Sequence, residues 1–291
     1  MSSAKKLLEA AAGSAAGGES LDIAEVFSTF LYTGTAANKT ITNGIDLDGE
    51  GGLVWIKTRS VGYNNVLTDT ERGATQQLSS NSTDGQQAYS TGLTAFNSNG
   101  FSIGSNGQYN NNTSTMASWT FRKAPKFFDI VTYGGNSQTS QTLNHNLGSV
   151  PGMMIVHRYD GAGEWWVYHR ANTSAPQTEF LKLSATNATE DYAGVWNDTA
   201  PTSTQFTVGV DSAINYNTRN YVAYLFAHND GDGEFGPDSD QDIISCGSYT
   251  GNGSTTGPVI NLGWPAQFIM FKNADASENW QILDSMRNLS T

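Results

Sequence analysis

Oxygen ligands for a hard cation, or paired carboxylates for acid–base work, would come first from the stretch HNDGDGEFGPDSDQD between His228 and Asp242. Six of its fifteen residues are acidic and three are glycine. An EF-hand calcium loop needs glycine at its sixth position and a bidentate glutamate at its twelfth. Counted from Asp230, those places hold Phe235 and Gln241. An irregular calcium site on Asp230, Asp232 and Asp240 stays open as an alternative. The expected reading is a solvated spacer punctuated by Gly and Pro.

Other candidates for chemistry are sparse. A glycosidase needs two acids held across one cleft. Glu164, Glu179, Glu190 and Asp191 are the candidates, and nothing in their spacing pairs them. The four histidines, His145, His157, His169 and His228, form no HExxH and no i, i+4 pair, so each is expected at a surface or rim position. His157 stands where comparable segments carry Lys57 and Lys272. There is no P-loop, and YTGNGS has the look of turn glycines in a β setting. Cys246, the one cysteine, sits in the apolar run IISCGSY and is expected as a small buried strand residue. A single cysteine excludes an intrachain disulfide and a cysteine-based metal site. No catalytic residue, metal site or cofactor is expected.

Trp165, Trp166 and Tyr168 carry the strongest binding alternative. Adjacent residues on a strand face opposite sides, so one Trp is expected in a core and the other outside. An exposed indole stacks on a sugar or fills a subunit interface. Trp280 stands at a comparable place, which favours a structural role.

The elements that would position these residues are strands. Charged residues make up only 14% of the 291, and Ser, Thr, Asn, Gln and Gly supply the polarity, a composition of exposed strand faces and turns. Short aromatic or β-branched runs such as VTY, MMIVHRY, EWWVYHR and YVAYLFA lie between turn clusters, as in a β-sandwich or jelly roll. The net charge of −12 disfavours nucleic acid as a partner. No run approaches the ~20 apolar residues of a membrane span. No apolar core follows the two N-terminal lysines, so synthesis in a cytoplasm without Sec export is expected.

The chain repeats itself. FSIG at 101–104 recurs as FTVG at 206–209, and NTSTMASWTF at 112–121 as NTRNYVAYLF at 217–226, both offset by 206 − 101 = 226 − 121 = 105. The starts YTGT, YGGN and YTGN begin at Tyr32, Tyr133 and Tyr249. Each precedes an apolar strand: GGLVWIK, PGMMIVH or PAQFIMFK. Asp69…Arg72 recurs as Asp284…Arg287 at one offset, 284 − 69 = 287 − 72 = 215. The expected organisation is an N-terminal helical docking arm at 1–19, β-sandwich modules at 20–124 and 125–228, an acidic Gly-rich linker at 229–242, and the start of a third module at 243–291. The arm reading rests on SAKKLLEAAA, with Ser3 as cap and Gly13 as stop.

The frame FFDIVTYGGN…LNHNLGSVPGMMIVHR…WWVYHR and its echo IISCGSYTGNGS…INLGWPAQFIMFKN…WQILDSMR resemble virion proteins of tailed phages of marine bacteria, cyanobacterial phages among them. The resemblance covers roughly residues 26–291 and rests on module order and on the Tyr-x-Gly, Leu-Gly, Pro and Trp positions. It implies tandem β-sandwich modules of the concanavalin-like kind in a tail fibre or other appendage, attached to the particle by the N-terminal arm. It also implies a virion location, other virion proteins of the tail or portal region as partners, and homotrimers. It carries over no active site. Three functions follow as expectations: a structural, non-enzymatic appendage protein or capsid-bound decoration, a module binding host surface polysaccharide through Trp165, Trp166 and Tyr168, and, least favoured, a depolymerase.

Overall fold

The computed structural model describes residues 20–287. The helical arm expected at 1–19 lies outside the described residues. The chain is all-β, and its described residues form antiparallel sheets with four one-turn α-helices: α1 (Ile23–Val26), α2 (Gly107–Asn110), α3 (Ala193–Trp196) and α4 (Ser212–Asn215). No described helix is long and apolar enough to cross a membrane.

Two six-stranded sheets share one topology. The first joins β1 (Phe27–Thr33), β9 (Thr115–Arg122), β3 (Gly52–Thr58), β4 (Val66–Asp69), β5 (Gln76–Ser79) and β6 (Gln87–Ala88), in that order. The second joins β10 (Phe128–Gly134), β17 (Asn220–Phe226), β12 (Met153–Arg158), β13 (Trp165–His169), β14 (Glu179–Lys182) and β15 (Glu190–Asp191). A smaller sheet accompanies each. It is β2 (Lys39–Thr42), β8 (Gly100–Ile103) and β7 (Leu93–Asn97) in the first unit, and β11 (Gln141–Asn144) with β16 (Gln205–Val208) in the second. The third unit supplies one hairpin, β18 (Phe268–Phe271) with β19 (Gln281–Asp284).

Both faces of each large sheet are covered. On β9, Ala117, Trp119 and Phe121 enter a central core while Met116 enters an outer one under β2 and β8. On β17, Val222, Tyr224 and Phe226 face the central core, and Tyr221, Ala223 and Leu225 face an outer one. Strands buried on both faces read as continuous apolar runs, which is why MMIV and YVAYLF show no alternation. The central core holds side chains from both large sheets, and Phe268, Met270, Trp280 and Ile282 of the third unit pack against it. Phe121 lies at its centre, within 5.7 Å of the Phe27, Phe128, Phe226 and Phe268 ring centroids.

The repeated Tyr-x-Gly start has a steric reason. The Tyr32 hydroxyl donates to the Tyr109 carbonyl at 2.7 Å and that of Tyr133 to the Ile214 carbonyl at 2.9 Å. A Cβ on Gly34 or Gly135 would lie 2.0 Å from the Asn111 oxygen or 2.3 Å from the Tyr216 oxygen. Any larger residue would push away the turn that leads into β9 or β17.

The acidic stretch is not a solvated spacer. Phe235 within it is buried in the central core against Phe127, and the Gly236 amide donates to the Leu21 carbonyl at 3.0 Å. The Asp242 carboxylate accepts the Gly231 and Gly233 amides at 2.7 and 2.8 Å, and Glu234 pairs with Lys126. One large apolar residue among the acids gave the loop surface to bury, and burial anchored it. IISCGSY is likewise not a strand among the described residues, and Cys246 is only half-buried. A strand needs a ladder partner, and no described strand pairs with this run.

Candidate functional site at the module interfaces

The Trp pair does not divide into one inner and one outer residue. Trp165 is fully buried in the central core, and Trp166 and Tyr168 are buried in the outer core of the second unit. The expected exposed indole is absent because α3 and the small sheet cover the second face: Trp166 packs on Phe180 and Tyr168 on Trp196. Trp165 is an interface residue within the chain. Its indole N–H is shared between the Ser79 and Ser82 carbonyls of the first unit at 3.2 and 3.0 Å. Trp280 repeats the contact one unit later, donating to the Lys182 carbonyl at 2.9 Å.

A second contact also recurs. The Asp69 carboxylate, at the end of β4, accepts the Arg72 Nε at 2.6 Å and the Tyr224 hydroxyl of the neighbouring sheet at 2.7 Å. Asp284, at the end of β19, accepts the Arg287 Nε at 2.5 Å and the Trp119 indole at 3.0 Å, with the Arg287 guanidinium 4.9 Å over the Trp119 ring. Trp119 and Tyr224 are themselves one repeat apart, 224 − 119 = 105. The hairpin of the first unit therefore latches onto the second, and that of the third latches onto the first. Two units in a row meeting by the same latch is the signature of cyclic packing about the shared core. The third latch position is His169: Leu53 pairs with Asp69 across one hairpin, and Met153 with His169 across its counterpart.

The first latch is dry. Arg72 and Asp69 side chains are 1% and 0% exposed. Burial disfavours the Arg72 cation, yet the Asp69 carboxylate and the Tyr224 hydroxyl outweigh it and raise its pKa. A fully satisfied buried network of this kind orients two sheets with respect to each other.

Histidines also depart from the expected surface positions. His145 and His157 are buried. His157 stacks on Trp165 with centroids 4.1 Å apart, and its ring nitrogens face the Glu164 and Asp84 carbonyls at 3.2 and 3.1 Å. The strand position that takes a half-buried Lys57 in the first unit lies under the loop carrying Asp84 in the second, so an uncharged ring fits there. Burial pushes His157 down to about 4, against the pull of the two carbonyls and helped by Arg72 and Arg158. The unfolded chain therefore takes up a proton near pH 6.5 that the fold refuses until about 4. Stability is expected to be full above that window and to fall by about 3 kcal/mol through it as the pH drops. Urea denaturation at stepped pH measures this, and His157→Gln should flatten the slope.

Of the four carboxylate candidates, two are engaged by other side chains and two face each other across a strand pair. Glu164 accepts the Ser184 hydroxyl at 2.8 Å, and Glu190 pairs with Lys182 at 3.0 Å. Glu179 and Asp191 sit opposite each other across β14 and β15. Asp230, Asp232 and Asp240 are exposed, and among the described residues no cluster of three or more His, Cys, Asp or Glu is placed to hold a metal. A cleft of about 190 Å³ opens where the three units meet, lined by Trp55, Asn65, Leu183, Met270 and Trp280 among others. The latch residues Asp69, Arg72, Asp284 and Arg287 were visible as a repeat in the sequence; what they grip was not, because Tyr224 lies 155 residues from Asp69.

A family model described as a domain of unknown function (DUF7483) matches residues 22–291. No curated protein and no solved structure matches the chain.

Proposed function

The chain belongs to the DUF7483 family, a domain of unknown function, and on that premise we propose that it is a structural protein of a phage virion, a tail-fibre or other appendage component. It acts mechanically. Its two complete units are tandem β-sandwiches, each large sheet packing its outer face on a small one, and they are locked to each other and to the third hairpin. The observation that supports this reading is the recurring latch: Asp69–Arg72–Tyr224 and Asp284–Arg287–Trp119 cross from unit to unit, with Asp69, Arg72 and Asp284 removed from water. Such contacts resist bending between units, which is what a projecting spacer requires. The sequence resemblance to marine phage virion proteins points the same way, and with it come homotrimerisation and other virion proteins as partners.

The glycan reading has lost its aromatic platform, since Trp165, Trp166 and Tyr168 are all buried. The test is direct. Tailed particles from marine hosts, purified by density gradient, should contain peptides of this chain by mass spectrometry, and immunogold should mark the tail or an appendage. Recovery only from the soluble lysate, never at particle density, would sink the proposal.

A further inference from the structure

Four Asn–Gly pairs occur in the chain: Asn43-Gly44, Asn99-Gly100, Asn106-Gly107 and Asn252-Gly253. This dipeptide has a reaction of its own. The glycine amide nitrogen is unshielded by a side chain and lies within reach of the asparagine Cγ, where attack closes a succinimide ring. Closure requires the asparagine side chain and the glycine backbone to rotate, so a fold that holds either one suppresses it.

Three of the four pairs are held. Asn43 donates through Nδ2 to the Thr120 hydroxyl at 2.9 Å and accepts the Ile45 amide through Oδ1 at 3.3 Å. Gly100 is buried in its ladder, opposite Thr42 on one side and Asn97 on the other. Asn106 caps α2. Its Oδ1 accepts the Gln108 amide at 2.9 Å, its own amide donates to the Thr91 carbonyl at 2.9 Å, and its carbonyl takes the Tyr109 and Asn110 amides at 3.0 and 2.8 Å.

Asn252-Gly253 differs. Both residues are exposed, and neither makes a backbone-to-backbone hydrogen bond among the described residues. The Asn252 side chain is engaged only locally, accepting the Ser254 amide at 3.0 Å. A Cβ on Gly253 would meet nothing within 4 Å. The repeat accounts for this openness. The residue four past each start tyrosine (36 − 32 = 137 − 133 = 253 − 249) is exposed and left-handed in all three units, with φ of 51° at Ala36, 56° at Ser137 and 65° at Gly253. Such a position favours glycine, and only the third unit has it there, directly after an asparagine. The same place reads Thr35-Ala36 in the first unit and Asn136-Ser137 in the second.

We propose that Asn252 is a site of spontaneous deamidation, selected by the fold from the four Asn–Gly pairs. The Gly253 nitrogen attacks Asn252 Cγ. A bond forms between them, the Cγ–Nδ2 bond breaks, and the Gly253 nitrogen gives up its proton as ammonia departs. Water then opens the ring. Cleavage between nitrogen and Cγ leaves aspartate. Cleavage between nitrogen and the main-chain carbonyl carbon leaves isoaspartate, which routes the backbone through the former side chain and lengthens it by one carbon. Either product places a new negative charge in the turn that follows Tyr249. The site stands independently of the virion assignment.

The test incubates the full chain in warm, mildly alkaline buffer made with heavy-oxygen water and maps its peptides by mass spectrometry. Each opened ring takes up the label, so all four pairs are followed at once. Asn252 is expected to convert first, roughly tenfold or more ahead of Asn43, Asn99 and Asn106, because the held pairs must open locally before they react. Gly253→Ala should slow conversion at Asn252 and leave the other three unchanged, and the turn tolerates it, since Ala36 already holds this conformation in the first unit. In urea the four rates should draw together. The proposal is overturned if Asn252 converts no faster than the held three, or if Gly253→Ala leaves its rate unchanged. It is also overturned if Asn252 keeps the same lead in urea, since adjacent residues and not the fold would then select it.

Discussion

Replacing Asp69 by alanine is expected to lower the free energy of unfolding by about 3–5 kcal/mol, the usual cost of stripping one partner from a buried ion pair. Three donors converge on this carboxylate: Arg72 Nε at 2.6 Å, the Arg72 amide at 2.9 Å and the Tyr224 hydroxyl at 2.7 Å. Without it, a guanidinium that is 1% exposed keeps its charge and loses its counter-ion. The remaining acceptors, the Leu67 and Gln76 carbonyls, the Gln86 side-chain oxygen and the Tyr224 hydroxyl at 3.2–3.3 Å, are neutral and do not cancel its charge. The double variant Asp69→Leu, Arg72→Met should recover most of the loss, because it removes both charges and keeps volume. Urea denaturation of the two singles and the double gives the cycle. Equal losses in Asp69→Ala and in the double would show that shape, and not charge pairing, holds the two sheets together.

Trp165→Ala carries the second large effect, a loss of about 3–5 kcal/mol as for other buried large-to-small changes. The indole is fully buried, lies parallel to His157 and bridges the Ser79 and Ser82 carbonyls of the other unit. Its removal opens a cavity in the central core and takes one donor from each of the two carbonyls, of which Ser79 keeps the Ser82 amide at 3.1 Å. Trp165→Phe should restore the packing and not the hydrogen bonds, and so fall between the two. Thermal denaturation distinguishes this from a surface role: an exposed sugar platform would lose ligand binding on truncation and keep its melting temperature.

How much of this was legible in the residues depends on the range of the interaction. The all-β class was, because runs such as YVAYLF and MMIVHR are too short and too rich in β-branched and aromatic residues for helices. Face assignment was not. For Trp165-Trp166 the period-two rule correctly sends the two indoles to opposite faces, but whether a face is wet depends on what the rest of the chain lays over it. Here α3 and β16 dry the outer face and the first unit dries the inner one. His157 follows the same logic: Lys57 at the matching position stays half exposed, and only the loop through Asp84 makes the second version a core residue. In the acidic stretch Phe235 was the overlooked signal, a single aromatic ring whose burial outweighed the solvation of its charged neighbours.

By itself the sequence determined the strand-forming runs, the turn chemistry of the Tyr-x-Gly starts and the recurrence of Asp…Arg at a hairpin end. These are local properties, set by backbone preference and by the spacing of residues within a few positions of one another. Only the tertiary structure decided that the repeats close around one core, that Asp69 and Asp284 grip Tyr224 and Trp119 of a neighbouring unit, and that 244–250 stays out of a sheet. Those outcomes turn on groups more than a hundred residues apart, or on a strand that no described residue supplies. A sheet strand is stable only when both its hydrogen-bonding edges and its apolar face find partners, and which partners arrive is a property of the assembled chain.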